Sequence, residues 1–138
     1  MRRLSLLALG AAATASCNTV PPSPSPAQIA RSQAHLQELT AGKVAQAPIG
    51  CLPHYRANDM VVVDENTVAF KDGARVYIAH MNGPCSNLGG AGYALLTRTV
   101  GTADLCRGDI AQVVDTSAHM TVGSCVFGDF VPYVRPGS

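Results

Sequence analysis

The chain has 138 residues, ten basic against nine acidic side chains, 14% charged and 47% apolar residues, and no Trp. That is one domain's worth of chain, and its near-neutral balance, without a basic stripe or an aromatic platform, excludes a nucleic-acid binder that works through charge and stacking. It also lacks the Lys/Arg-rich amphipathic segment that holds an anionic bilayer unaided.

Residues 1 to 16 read as a signal peptide: an Arg2-Arg3 head, an apolar run from Leu4 to Ala13, then the small residues Thr14-Ala15-Ser16. The apolar part is about half of the roughly 20 residues that cross a bilayer as a helix, so removal is expected rather than retention. Thr14-Ala15-Ser16-Cys17 resembles the lipobox of bacterial lipoproteins, in which the cysteine is lipidated and becomes the first residue of the mature chain, although Thr14 departs from the usual aliphatic. Ala13-Thr14-Ala15 alternatively fits an ordinary small-x-small cleavage site, which would release a soluble periplasmic protein starting at Ser16. Cysteine parity favours lipidation: Cys51, Cys85, Cys106 and Cys125 form an even set, leaving Cys17 for the lipid. Because Asn18 rather than Asp follows, the similarity to lipoproteins implies an outer-membrane anchor with the domain facing the periplasm.

Residues 17–26 form a Pro-rich tether, and four prolines between Asn18 and Pro26 favour polyproline II. A helix is expected over 27–42: Ser25 caps it, Pro26 fits the first helical position, Gln28 completes a capping box, and Gly42 stops it. Ile29, Leu36 and Leu39, with Ala30 and Ala34, supply a narrow apolar stripe for docking on a sheet or on a partner.

From 43 to 138 the pattern is that of a disulfide-stabilised, mainly β domain. Strands are predicted at Met60 to Val63, Thr67 to Phe70, Arg75 to Met81, Tyr93 to Val100, Asp109 to Asp115, His119 to Val126 and Val131 to Val134. Asp72-Gly73 marks the strongest hairpin turn. Val76, Ile78 and His80 alternate with Arg75, Tyr77 and Ala79, so each set takes one face. The expected fold is a small antiparallel sheet of five or six strands, rolled or partly open as a barrel, with the single N-terminal helix packed at one edge.

The cysteine spacings contain no C-x-x-C pair, which leaves a zinc ribbon or a thioredoxin-type redox motif without support. Two structural disulfides are expected instead, and four cysteines allow three connectivities. A meander through residues 59–63, 67–71, 75–80 and 93–99 puts Cys51 and Cys106 beyond the same end of the sheet and Cys85 at the other, which favours Cys51 with Cys106 and Cys85 with Cys125. No metal site is assigned, since His35, His54, His80 and His119 are too scattered for a ligand motif. No catalytic residue is assigned either. G-x-S-x-G is absent, Gly123-Ser124-Cys125 loses its thiol to a disulfide, and the Gly89-Gly90-Ala91-Gly92 loop has no phosphate-binding frame. Asp64, Glu65, Asp104, Asp109, Asp115 and Asp129 fall mostly in predicted turns, where Asp is favoured for bonding its own backbone. No cofactor is implied.

Several of these motifs together resemble a family of small exported Gram-negative proteins and lipoproteins classed only as a domain of unknown function. They are the Ala41-Gly42 helix end, D-x-x-T-V-A-F from Asp64 to Phe70, Arg75-Val76-Tyr77, Gly83-Pro84-Cys85 followed by Leu88, Asp109-Ile110, and Cys125 ahead of the final strand. The resemblance implies an export signal and a disulfide-bearing domain, with Cys85 and Cys125 as partners, and brings no activity or ligand. The expected function is a lipid-anchored envelope protein, membrane-held through Cys17, with a non-enzymatic domain that binds an envelope protein, a glycan or a small molecule across one sheet face or the Gly-rich loop. The alternative is a periplasmic enzyme or metal-dependent hydrolase built around His54, His80 or His119.

Overall fold

The computed structural model describes residues 23–53, 59–83, 85–98 and 104–137. The signal peptide, Cys17, most of the tether, His54, Pro84 and the end of the predicted strand at Val100 lie outside the described residues. The helix, α1, spans Pro26–Thr40. Its start follows from three residues: Ser25 accepts from the Gln28 amide, the Gln28 side chain accepts from the Ser25 amide at 2.8 Å, and Pro26 stands where no amide is needed. Gly42, at φ +67°, lets the chain leave beyond the Ala41 cap.

Nine strands follow among the described residues: β1 Val44–Ala45, β2 Cys51–Leu52, β3 Met60–Asp64, β4 Thr67–Asp72, β5 Arg75–Asn82, β6 Tyr93–Arg98, β7 Leu105–Cys106, β8 Ile110–Asp115 and β9 Met120–Val134. Six of them make one curled antiparallel sheet in the order β3-β4-β5-β9-β8-β6, a half-barrel to which β1 adds a short pairing with β9. β2 and β7 pair separately. The β4–β5 turn is Gly73-Ala74, one residue later than the Asp72-Gly73 expected, and Gly73 carries the positive φ that its first position demands.

Two expected strands, His119 to Val126 and Val131 to Val134, are one strand, β9. Gly128 and Pro132 both lie within it, and each is accommodated. A bulge between Ala79 and Met81 brings the His80 carbonyl so close to Gly128 that any Cβ there would collide with it. Pro132 accepts from the Gln46 amide at 2.8 Å, so the side on which it lacks an N–H faces the short segment after β1 rather than β5. The length of β9 makes it the spine: its first part pairs with β8 and its second with β5, and this offset curls the sheet.

The core lies mostly on the concave face, where Val68, Phe70, Tyr77, Ala79, Met81, Ala111, Val113, Phe127 and Phe130 meet. Phe70, Phe127 and Phe130 pack as a trio with ring centroids 5.9–6.2 Å apart. A smaller cluster on the convex face puts Leu36 and Leu39 of α1 against Val61, Val63, Ala69, Val76, Ile78 and Tyr133. Both faces of β4 and β5 are therefore buried, which is why Val68-Ala69-Phe70 reads as an unbroken apolar run. The helix sits over the β3 end of the sheet, where Ser32 Oγ donates to the Val63 carbonyl. Ile29 does not join the stripe: residues 26–31 of α1, ahead of the Ser32 contact, are all exposed, Ile29 among them.

Candidate functional site

The concave face is filled. Leu52 and Leu105, from the β2–β7 ladder, and Leu88, from the loop before β6, are all buried in the same cluster as the phenylalanines. What is left between Leu52, Pro53, Phe70 and Tyr77 is a space of about 10 Å³, barely enough for one water.

Each plug is fastened by a disulfide, and the pairs are those favoured from sequence, Cys51 with Cys106 and Cys85 with Cys125. Cys51 and Cys106 are directly opposed in the β2–β7 register, next to Leu52 and Leu105. Cys85, fully buried, anchors the Gly-rich loop to β9. This loop turns tightly, with Leu88 donating to the Cys85 carbonyl and Gly90 to the Asn87 carbonyl, both at 3.0 Å. Asn87 and Gly89 take positive φ, and Gly89 lies close to Val62 of β3. The loop then enters β6, so it seals the seam between the two edge strands of the half-barrel. Gly83, Gly89 and Gly92 take the positive φ that these turns require.

Of the titratable residues considered from sequence, the histidines that are described lie apart. His35 lies on α1, His80 at the end of β5 within 3.3 Å of Thr67 Oγ1, and His119 in the β8–β9 turn at φ +55°. Among the described residues no group of three or more His, Cys, Asp or Glu is placed to hold a metal ion. The carboxylates hold turns. Asp64 accepts from the Asn66 amide at 2.8 Å, Asp109 from the Cys106 amide at 2.7 Å, and Asp129 pairs with Arg107 at 2.8 Å. Asp115 accepts from the Ser117 hydroxyl and from the Ser117 and Ala118 amides, and these bonds, the hydroxyl's first, hold its carboxyl below the ordinary range.

Among the described residues two outer surfaces are open. The first is the convex face of β6, β8 and the start of β9, which α1 does not reach. Leu96 and Ile110 lie diagonally across the β6–β8 register there, 51% and 49% exposed, between Arg98 and Gln112. The second is an open groove of about 250 Å³ at the end of α1, lined by Glu38, Leu39, Lys43, Lys71, Gly73, Ala74, Val76 and Arg135. Sequence reading missed this groove, since its cations come from the helix exit, the β4–β5 hairpin and the end of β9, and no local motif joins them. No helix among the described residues is long and apolar enough to cross a membrane. Comparison with known proteins finds no matching family model, curated protein or solved structure.

Proposed function

We propose that this protein is a lipid-anchored envelope protein whose β domain is a non-enzymatic binding module, related to the exported family of unknown function that its motifs resemble. The observation that carries the binding reading is the open half of the convex face: Leu96 and Ile110 project from regular, cross-paired strands while the other half of the same face is covered by α1. An apolar strip on rigid strands is a ready contact surface for an envelope protein or glycan. The two disulfides support an oxidising compartment, and with those four cysteines paired only Cys17 remains for a lipid. The proposed anchor is Cys17 in the outer membrane, with the domain facing the periplasm.

Two measurements test this reading. Wild-type protein is expected in the membrane fraction with labelled lipid on Cys17, and Cys17→Ser is expected to abolish the label; a soluble wild-type protein starting at Ser16 with a free Cys17 thiol overturns the anchor. A photo-crosslinker placed at Leu96 or Ile110 in intact cells is expected to give a discrete adduct that one at Glu65 does not. Equal or absent adducts at all three positions overturn the proposed contact face.

A further inference from the structure

We propose that the Cys51–Cys106 disulfide is an exchange site: a protein dithiol opens it by attack on Cys51, and the folded domain holds both the disulfide and the dithiol form. The proposal uses neither the open face of β6 and β8 nor the anchor at Cys17, so it can fail while that reading stands. The bond is placed for attack. Cys51 and Cys106 are directly opposed in the β2–β7 register, and the next pair, Leu52 and Leu105, is buried, at 3% and 0% exposure. Side chains alternate between faces along a strand, so with the leucines inward the cysteines take the outer face. Cys51 is exposed and Cys106 half-buried, which makes Cys51 the sulfur that a partner reaches. The incoming thiolate approaches from the side opposite the departing sulfur. β2 pairs only with β7, so no strand among the described residues flanks it on that side. Cys85 and Cys125, both buried, offer no such approach.

Both cysteines are also held by hydrogen bonds that survive its opening. Ahead of β2, Ile49 and Phe130 exchange amide-to-carbonyl bonds at 2.8 and 2.9 Å. After β7, Gly108 donates to the Phe127 carbonyl at 2.9 Å, and Asp109 accepts from the Cys106 amide at 2.7 Å. The Arg107 amide donates to the Gly50 carbonyl at 2.6 Å and ties the two sides directly. With these bonds in place and Leu52 and Leu105 buried, the ladder stays closed and the two thiols stay beside each other after reduction.

That proximity selects the partner. When a thiolate attacks Cys51 Sγ, a sulfur–sulfur bond forms between them, and Cys106 Sγ departs with the electron pair as a thiolate. A monothiol is expelled again, because Cys106, held adjacent, attacks Cys51 Sγ at a high effective concentration. A dithiol competes on equal terms. Its second thiolate attacks its own sulfur in the mixed disulfide and releases Cys51 as a thiolate. The domain is thereby reduced by two electrons and takes up the two protons the partner gives up, while the partner is oxidised to a disulfide. The C-x-x-C pair of a thioredoxin-type oxidoreductase is a dithiol of this kind.

The experiment uses the full chain carrying Cys17→Ser, so that only the four domain cysteines take part. Reduced thioredoxin is the probe, followed by acid quench, alkylation and peptide mass spectrometry. Cys51 and Cys106 are expected to appear as thiols while Cys85–Cys125 stays intact. Glutathione at the same thiol concentration is expected to open the bond at least about tenfold less. In the dithiol form the amide shifts of Gly50 to Leu52 and Leu105 to Arg107 are expected to move while those of Val68, Phe127 and Phe130 hold, and oxidised thioredoxin is expected to restore the starting spectrum. The lone thiol of Cys106→Ser, at Cys51, is expected to react with an aromatic disulfide about tenfold faster than that of Cys51→Ser, at Cys106. Should either variant not fold, the chain with its four domain cysteines still decides. Opening only with loss of the core shifts, reduction of Cys85–Cys125 at the same rate, equal action of the monothiol, or faster reaction at Cys106 overturns the proposal.

Discussion

The two disulfides close loops of similar span, with sequence separations of 55 and 40 residues, yet they meet very different surroundings. Cys85 and Cys125 are 0% and 4% exposed and belong to the main core, where their bond ties the seam loop to the spine strand. Cys51 is exposed, and its bond to Cys106 staples a two-residue ladder from outside while Leu52 and Leu105 point inward. Loop entropy barely separates them, since both spans correspond to about 4 kcal/mol in the chain-entropy account. The difference lies in the native state: one bond is part of the packing, and the other holds the packing in place.

The largest expected effect follows from that distinction. Replacing Cys51 and Cys106 together by Ser removes about 4 kcal/mol of loop entropy and leaves polar hydroxyls near water. Replacing Cys85 and Cys125 costs the same and, in addition, strands two hydroxyls in an apolar core at roughly 1–3 kcal/mol each. Urea unfolding of the two double variants is expected to rank Cys85→Ser/Cys125→Ser well below Cys51→Ser/Cys106→Ser, to the point of not folding at all, as marginal stability of about 5–15 kcal/mol allows. Graded reduction followed by alkylation is expected to modify Cys51 and Cys106 first, because reductant reaches Cys85 only when the core opens. Equal stabilities, or simultaneous reduction, would break the contrast.

A smaller effect sharpens it. Gly123 of β9 lies under the seam loop, and a Cβ there would come 3.2 Å from the Ser86 carbonyl oxygen. Gly123→Ala is therefore expected to cost about 1 kcal/mol while the Cys85–Cys125 bond is intact, the low end for overpacking. With that bond removed the loop can lift away, and the same substitution is expected to cost less. A double-mutant cycle reads the coupling; additive costs would mean that the disulfide does not hold the loop against the strand.

The rolled sheet was legible in sequence wherever a strand was long enough to show alternation or double burial, as in Thr67–Asp72 and Arg75–Asn82. The helix start was legible because capping is local chemistry among Ser25, Pro26 and Gln28. The cysteine partners were expected from a meander that does not continue past β5, since β9 and β8 stand between β5 and β6; β6 nevertheless runs opposite to β5, which leaves each cysteine at the end expected. What failed is equally physical. A glycine and a proline normally end a strand, and only the bulge at His80 and the side on which Pro132 faces Gln46 let β9 run through them. Strands of two residues, such as β2 and β7, carry no period at all. The groove of Lys43, Lys71 and Arg135 exists only after three distant segments are folded together.

The smallest expected effect concerns the far end of the seam loop, where Thr116 donates through both its amide and its hydroxyl to the Gly92 carbonyl, at 2.9 and 2.8 Å. The β8–β9 turn that presents Thr116 is held by Asp115, whose ionised carboxylate accepts from Ser117 and Ala118 and whose pKa is consequently lowered. A group with a depressed folded pKa contributes its stabilisation above the unfolded value and loses it as pH falls through the folded one. The turn is therefore expected to be unaffected by pH across the neutral range and to loosen only below about pH 4, where an unperturbed carboxylate would begin to protonate. Asp115 is half-buried at the end of β8 and its carboxylate bonds only within its own turn, so the change is local and small beside the loss of either disulfide. Amide shifts of Ser117, Ala118 and Thr116 followed from pH 7 downward are expected to move together with one depressed midpoint. Asp115→Asn should abolish that transition while leaving Cys85–Cys125 and the loop from Cys85 to Gly90 unchanged. If the shifts at Ser86 to Gly90 moved with the turn instead, the loop would be a single unit held from its Gly92 end, and the buried disulfide would not be what fixes it.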